Sequence, residues 1–540
     1  MSNTGKKQSF LGGVATLAVA VFAVKIIGAL YKIPLGNILG TEGMTHFNAA
    51  YKIYSFLLSL STAGLPLALS KLVAESQALG RHNQSRALLR VALTLFAVIG
   101  AVGTGLMFFW ADGLAAMMNN SLAYWPIKAL SFSVVCVCIM SAFRGYTQGS
   151  ENMVPSATSQ IIEAVFKLMV GLSLAWYLIT LGQGVEMGAA GAILGVTVST
   201  VLAMGYMIFN HLRHRRETPA SADVPQTDGE LLRRILSIGV PITLGSSGMS
   251  LLTLIDQSLI MGRLQSVLGL TEEAAAALNG EYEFGMTLFN LPSSFIPPIT
   301  MCLIPFVSAA MARKDYARTA RLVSSSLRLT TLLALPAGVG LSVLAGPILQ
   351  LLYPAQQESA AAAAYHLEIL GLASAFVCIM LLTNGILQAY DKAKIPIFTL
   401  LAGGITKVTM NYILVGNPDI NIKGAPVSTL CCYMVVVILN LYFVWKYSPE
   451  KPRYITLLAK PALASAMMGG TVWAGHGFLF RALSSGHSAY SANALATAAG
   501  ILAGVVVYFV LVLVLRILRA DDVRDMGRKG ELLIRVLRLK

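Results

Sequence analysis

The segment Arg144-Gly145-Tyr146-Thr147-Gln148-Gly149 says most about the architecture of this 540-residue sequence, because its pattern occurs twice. Gly145 and Gln148 return as Gly385 and Gln388, about 240 residues further along the chain. Other residues recur in the same order at similar offsets: Pro66 as Pro305, Arg81 as Arg313, Arg86 as Arg318, Pro155 as Pro396, Lys167 as Lys407, and Gly191-Ala192 as Gly424-Ala425. Shared order and a nearly constant offset indicate an internal duplication.

Composition places the chain in a membrane. Hydrophobic residues make up 56% of it and charged residues only 12%, which excludes an ordinary soluble domain of this length. About fourteen mostly apolar stretches are each long enough to cross a hydrocarbon layer of ~30 Å as a helix. They cover residues 10–33, 46–70, 87–110, 122–143, 155–181, 187–210, 235–260, 280–310, 322–345, 362–389, 395–415, 424–445, 455–480 and 491–518. The sequence therefore predicts an all-α polytopic membrane protein.

The chain has a net charge of +15, and the distribution of its basic residues indicates how it is oriented in the membrane. When loops are assigned alternately to two sides, one side receives 31 of the 40 Lys and Arg residues, which predicts that both termini are cytoplasmic. We therefore predict no nucleic-acid partner. The first apolar segment follows Lys6 and Lys7 without a small-residue cleavage site, so we expect it to be the first helix rather than a signal peptide.

The duplication organises the predicted helices. Residues 1–211 form a first six-helix bundle, 212–230 a cytoplasmic linker and 231–446 a second six-helix bundle. Since each half has an even number of spans, the repeats are expected to be parallel, as in transporters whose halves rock about a central site. Residues 447–520 add helices 13 and 14, and 521–540 read as an amphipathic cytoplasmic tail on an anionic leaflet.

Two motifs carry a family resemblance. Gly64-Leu65-Pro66-Leu67-Ala68-Leu69-Ser70-Lys71-Leu72-Val73-Ala74-Glu75 and the Arg144–Gly149 segment, followed by Pro155, Ser159-Gln160 and Glu163, resemble the stage V sporulation protein B group. That group belongs with the MurJ-type lipid II flippases of the multidrug, oligosaccharidyl-lipid and polysaccharide exporter superfamily. The resemblance implies a multi-pass protein of the bacterial plasma membrane that moves a polyprenyl-pyrophosphate-linked cell-wall precursor to the outer leaflet. It also implies that helices 13 and 14 form a groove for the lipid tail.

Three lysines in the first two spans narrow the substrate. Lys25, Lys32 and Lys52 lie among apolar residues, where an ionised lysine costs about 2.5 to 3.5 kcal/mol unless it meets water or a partner. Lys25 and Lys32 are seven residues apart and share a helix face. Three ammonium groups lining a cavity would suit a pyrophosphate, whose charge needs compensation away from water. The alternative is that Lys32 and Lys52 extend to the outer interface.

Acidic residues of the eighth span are candidates for a gate. Some relatives carry a further arginine midway along this helix, whereas this chain has Met286 and Thr287 there and Glu281 and Glu283 nearby. Either glutamate is positioned to pair with a lysine of the first bundle when an outer gate closes. The alternative is that both lie in water at the outer mouth.

Further intramembrane charges suggest energy coupling. Asp256 lies deep in the seventh span, and Lys407 and Asn411 lie one turn apart on the eleventh, where some relatives bind sodium. We hypothesise an Asp256–Lys407 bridge, which would favour coupling to membrane potential or protons. Glu163 and Lys167 are four residues apart, which predicts an intrahelical ion pair.

Three classes of function are weighed. A flippase for lipid II, serving peptidoglycan or spore cortex, agrees with the cationic first helix; another lipid-linked oligosaccharide or polysaccharide is the alternative cargo. A multidrug efflux antiporter of the same superfamily would need acidic cavity residues for cationic drugs. An enzyme would need an acidic metal-binding loop or an intramembrane catalytic histidine, and neither is evident, so we predict no enzyme, metal or cofactor.

Overall fold

The computed structural model describes residues 10–62, 64–214, 222–486 and 488–518. Within these ranges the chain forms seventeen α-helices and short 3₁₀ turns, with no strand. The helices are α1 (Phe10–Thr62), α2 (Leu65–Ala78), α3 (His82–Phe109), α4 (Ala111–Met117), α5 (Tyr124–Gly149), α6 (Val154–Thr180), α7 (Val185–His214), α8 (Asp228–Ser266), α9 (Glu272–Phe289), α10 (Ile296–Ala312), α11 (Tyr316–Val343), α12 (Ala345–Leu352), α13 (Gln357–Ala389), α14 (Lys394–Leu414), α15 (Gly424–Tyr447), α16 (Tyr454–Leu483) and α17 (Ala489–Val514). The predicted amphipathic tail lies outside the described residues.

The helices confirm a polytopic α-helical membrane protein. Eleven helical stretches of the described chain are long and apolar enough to cross a membrane. The first of them, Ala23–Ala78, includes parts of two predicted spans, and ten others match one predicted span each. The remaining predicted spans, 235–260 and 280–310, lie on α8 and on α9 with α10.

Helix α1 contains the first predicted span and most of the second, and it changes direction at Gly40. This residue has φ 66° and ψ −171°, a conformation that is open essentially only to glycine. Two helical segments therefore meet at Gly40. The change of direction brings Lys32 in the first segment within hydrogen-bonding distance of Asn48 in the second.

The described residues divide into two compact units, one up to Gly280 and the other from Glu281 onward. In the first unit, α3 packs on α5, and α7 packs on both α5 and α6. In the second unit, α11 packs on α13, and α15 packs on both α13 and α14. Each unit also places a short helix, α4 or α12, directly after the first member of the set. The same order and pairing within each unit supports the predicted duplication.

The repeated glycines occupy equivalent positions in the two units. A Cβ atom on Gly145 would lie 2.7 Å from the backbone oxygen of Pro66, so α5 lies directly against α2. A Cβ atom on Gly385 would lie 3.1 Å from the Thr300 side chain, so α13 lies against α10. The glycines of the repeated motif thus permit close helix crossings, as small residues do in membrane bundles.

Helix α8 packs in the first unit, although the sequence places residue 231 at the start of the second bundle. It contacts α1, α2 and α3. A Cβ atom on Gly64 would lie 2.2 Å from the Gly239 backbone oxygen, which shows how closely α2 and α8 cross. Arg234 pairs with Glu75 at 3.2 Å, and Arg90 with Asp228 at 2.8 Å. These contacts assign α8 to the first compact unit. The predicted bundle boundary at residue 231 rests on the repeated sequence and stays a prediction.

The last two helices pack together and against α11 and α12 within the second unit. Helix α16 contacts α17 and α11, and α17 contacts α12. Leu344 at the end of α11 forms a buried apolar cluster with Met468 and Val472 of α16. These helices correspond to the predicted spans 13 and 14 outside the repeat.

Candidate functional site

The lysines of α1 lie beside buried side-chain amides. The Lys32 ammonium donates to Oδ1 of Asn48 at 3.3 Å, and the Lys52 ammonium donates to Oε1 of Gln257 at 2.5 Å. Asn48 and Gln257 are 3% and 1% exposed, while both lysines are half-buried. The turn at Gly40 positions the first pair, and the packing of α8 on α1 positions the second. We call these four residues the lysine–amide cluster.

The lysine–amide cluster contains two buried amide N–H donors. Since each amide oxygen accepts from a lysine, its nitrogen turns the other way. Asn48 Nδ2 and Gln257 Nε2 are both buried, and neither meets an acceptor among the described residues. Buried amide donors are costly when they are left without an acceptor. The cluster is therefore suited to a group with several anionic oxygens.

Lys25 differs from the other two lysines of the predicted set. Its side chain is exposed on α1, and its neighbour Ile26 is 47% exposed. Lys32 and Lys52 are each hydrogen-bonded to a buried amide. The shared role of all three lysines in one cavity stays a prediction.

The predicted ion pair between Glu163 and Lys167 is corrected by the structure. Within the described chain, Glu163 pairs with Arg144 of α5 at 3.2 Å, and Arg144 also donates to Ser159 at 2.9 Å. The Lys167 ammonium lies 5.4 Å from the centre of the Tyr31 ring. The i, i+4 spacing permits the local pair, but packing of α5 on the carboxylate side of α6 supplies a guanidinium with better geometry.

Lys167 adds a cation to the aromatic face of α1. Its ammonium lies 6.0 Å from the centre of the Tyr51 ring as well as over Tyr31. Tyr31 donates to the Ala192 backbone oxygen at 3.1 Å, which holds the ring in place, and Phe47 stacks on Tyr51. A cation over an aromatic face is stabilised by the ring quadrupole. The sequence did not predict the contact of Lys167 with Tyr31 and Tyr51, nor the hydrogen bonds of Asn48 and Gln257. The tyrosines on α1 were the available signal for the contact with Lys167.

The predicted gate and coupling residues fall in different units. In the first unit, Asp256 is buried and directly precedes Gln257 of the lysine–amide cluster. In the second unit, Glu283 is buried on α9 and Lys407 is half-buried on α14. The Asp256–Lys407 bridge and the pairing of a glutamate with a first-bundle lysine stay predictions.

Two other predicted residues have local surroundings in the second unit. The Asn411 side chain accepts a hydrogen bond from Ser428 of α15. Glu281 is half-buried and lies within electrostatic range of Lys423. Among the described residues, no group of three or more His, Cys, Asp or Glu is arranged to hold a metal ion.

Known membrane proteins resemble this chain in sequence and in fold. The chain is 26% identical to stage V sporulation protein B of Bacillus subtilis (strain 168) over 533 residues, covering 98% of this chain and 100% of the relative. It is 22% identical to lipid II flippase MurJ of the same organism, covering 86% and 87% of the two chains. The solved structure of lipid II flippase MurJ in an inward closed conformation matches with a TM-score of 0.69 at 15% identity, covering 95% of this chain and 99% of that one. That structural likeness shows a shared fold.

Family profiles agree with these relatives. Residues 241–413 match the MatE family, and residues 10–311 match the family described as "Polysaccharide biosynthesis protein". The matches confirm the predicted resemblance to the stage V sporulation protein B and MurJ group. Since the second profile covers more than half of the 540 residues, this chain belongs to the polysaccharide biosynthesis protein family.

Proposed function

We propose that this protein is a flippase that moves a polyprenyl-pyrophosphate-linked cell-wall precursor, lipid II in the first instance, from the inner to the outer leaflet. A relative named lipid II flippase and another named stage V sporulation protein B support this class of substrate. In this proposal the protein is a transporter and not an enzyme. It acts in the bacterial plasma membrane with both termini in the cytoplasm, as the distribution of Lys and Arg favours.

The lysine–amide cluster carries the proposal. Lys32 and Lys52 supply positive charge, and Asn48 and Gln257 supply buried N–H donors that lack acceptors among the described residues. A pyrophosphate offers several anionic oxygens, and hydrogen bonds to an ionised acceptor are roughly twice as strong as neutral ones. A pyrophosphate bound there would provide acceptors for the two amide N–H groups.

Transport would follow from alternating exposure of this cluster to the two leaflets. Lys25 is exposed on the same helix, and we assign it the first capture of the headgroup. Glu281 and Glu283 are assigned to a gate. Asp256, Lys407 and Asn411 are assigned to energy coupling through membrane potential or protons; sodium-dependent transport by the purified protein would contradict this assignment.

A multidrug efflux antiporter is the second candidate, because residues 241–413 match the MatE family. Its usual cationic cargo would be repelled by the lysines of the first unit. Another lipid-linked oligosaccharide or polysaccharide remains an alternative cargo, since it would share the pyrophosphate. Rescue of a flippase-deficient strain distinguishes these possibilities.

The test is rescue of a bacterium depleted of its own lipid II flippase. We expect the wild-type chain to restore growth and Lys25→Ala and Lys52→Ala to fail at matched expression. Lys394→Ala is the control, since Lys394 is an exposed lysine at the start of α14. Rescue by every variant would support lipid II as the cargo and refute the proposed role of the lysines. Failure of the well-expressed wild type would refute lipid II as cargo.

A further inference from the structure

A second cationic site lies in the second unit, separate from the lysine–amide cluster. It is a cavity of about 290 Å³ where α11, the connection between α15 and α16, and the ends of α16 and α17 meet. Among the described residues that line it, one is acidic, Glu450, and five are basic: Arg328, Lys451, Arg453, Lys460 and Arg516. The excess of positive charge predicts an anionic ligand.

The basic residues of this cavity differ in their hydrogen bonds and in their exposure. Lys451 donates to the backbone oxygens of Trp445, Lys446 and Ser448 at 2.8 to 3.2 Å, so it is committed to the C-terminus of α15. Lys460 donates to the Leu515 backbone oxygen at 3.1 Å and stabilises the end of α17. The side chains of Arg453 and Arg516 are exposed at the cavity. These two arginines are therefore placed to bind an incoming anion.

The backbone adds to the positive potential. Arg453 occupies the N-cap position of α16, and no described side chain caps this 30-residue helix. Its first N–H groups and its dipole are therefore available to an anion. Thr456, in the first turn of α16, also lines the cavity. Arg328, which also lines the cavity, is only 8% exposed.

The surroundings favour a lipid over a soluble ion. Ile455 directly follows the start of α16 and is 83% exposed, and Trp445 at the end of α15 is 45% exposed. Exposed tryptophans near the ends of membrane helices are typical of the headgroup level. Clustered basic residues on the cytoplasmic side bind anionic lipid headgroups, and this loop falls on the predicted cytoplasmic side.

We infer that this cavity binds the phosphodiester headgroup of an anionic phospholipid, with Arg453 and Arg516 at its mouth. Such a lipid would contact α11, α16 and α17 together and so attach the two extra helices to the second repeat. Each basic residue near an anionic leaflet contributes enough that loss of both arginines is expected to weaken binding about tenfold or more.

The experiment uses the full-length protein in phosphatidylcholine nanodiscs, with and without phosphatidylglycerol. A ligand that binds only the folded state raises the unfolding midpoint. We expect phosphatidylglycerol to raise the midpoint of the wild type and of Arg481→Gln, which changes an exposed arginine at the other end of α16. The Arg453→Gln/Arg516→Gln variant should lose this shift while keeping its midpoint in phosphatidylcholine alone.

Inorganic phosphate provides the second arm. A shift produced by millimolar phosphate in phosphatidylcholine nanodiscs, equal to that of phosphatidylglycerol, would overturn the lipid assignment in favour of a soluble anion. An unchanged phosphatidylglycerol shift in the double variant would overturn the site. Either result leaves lipid II rescue unaffected, so failure of this inference is distinguishable from failure of the proposed function.

Discussion

The Lys52 ammonium donates a 2.5 Å hydrogen bond to the Gln257 side chain, which lies 205 residues away in the sequence. This contact joins α1 to α8 inside the first unit. It also aims a buried amide donor away from the lysine, because the amide oxygen is already engaged. The pair therefore leaves the buried Gln257 N–H group as a donor for an anion.

Replacing Gln257 by glutamate should weaken binding of the proposed substrate. A carboxylate at this position would replace the amide N–H donor by a negative charge, so we expect affinity for lipid II to fall about tenfold to a hundredfold. Gln257→Ala keeps the charge of Lys52 and should have a smaller effect. Titration of lipid II by native mass spectrometry measures both, and equal affinities for the two variants would contradict the role given to Lys52.

Replacing Gly40 by alanine should destabilise the protein. Its backbone conformation costs a residue with a side chain about 1 to 3 kcal/mol, so the unfolding midpoint should fall. Gly28→Ala is the matched control on the same helix, since a Cβ atom there meets nothing within 4 Å. Alanine in a helix is better than glycine by about 0.5 to 1 kcal/mol, so this control should be neutral or stabilising. Thermal unfolding in detergent compares them, and equal midpoints would contradict the turn at Gly40.

A double-mutant cycle distinguishes the two partners considered for Glu163. Because the carboxylate pairs with Arg144 at 3.2 Å, the change Glu163→Gln should couple to Arg144→Met by about 0.5 kcal/mol or more in the free energy of unfolding. Coupling to Lys167→Met should be smaller. Unfolding of the single and double variants in mixed micelles gives both values, and a stronger coupling to Lys167 would restore the local pair.

The two repeat glycines should differ in their tolerance of a methyl group. At Gly145 the obstacle is the Pro66 backbone, whereas at Gly385 it is a side chain of Thr300 at 3.1 Å. Gly145→Ala should therefore cost about 1 to 3 kcal/mol, as overpacking usually does, and Gly385→Ala less. Comparison of unfolding midpoints checks the order, and a larger loss for Gly385→Ala would refute it.

Hydropathy alone determined that this chain is a polytopic helical protein. Lipid offers no hydrogen bonds to the backbone, so an apolar segment must satisfy its N–H and C=O groups internally as a helix. The glycine, proline and basic residues that recur in the same order likewise indicated the duplication before any helix pairing was known. Lys25, Lys32 and Lys52 stood out because a charge within an apolar segment is costly.

Tertiary structure decided which side chains meet. A helix that is apolar on most sides carries little information about its rotation, so the sequence alone does not reveal which face contacts a neighbour. Glu163 therefore pairs with Arg144 across two helices instead of with Lys167 one turn away, and Lys52 meets Gln257 only because α8 packs on α1. Spacing along one helix is a local property, whereas these contacts depend on how closely separate helices approach, and glycines such as Gly64 and Gly239 set that approach.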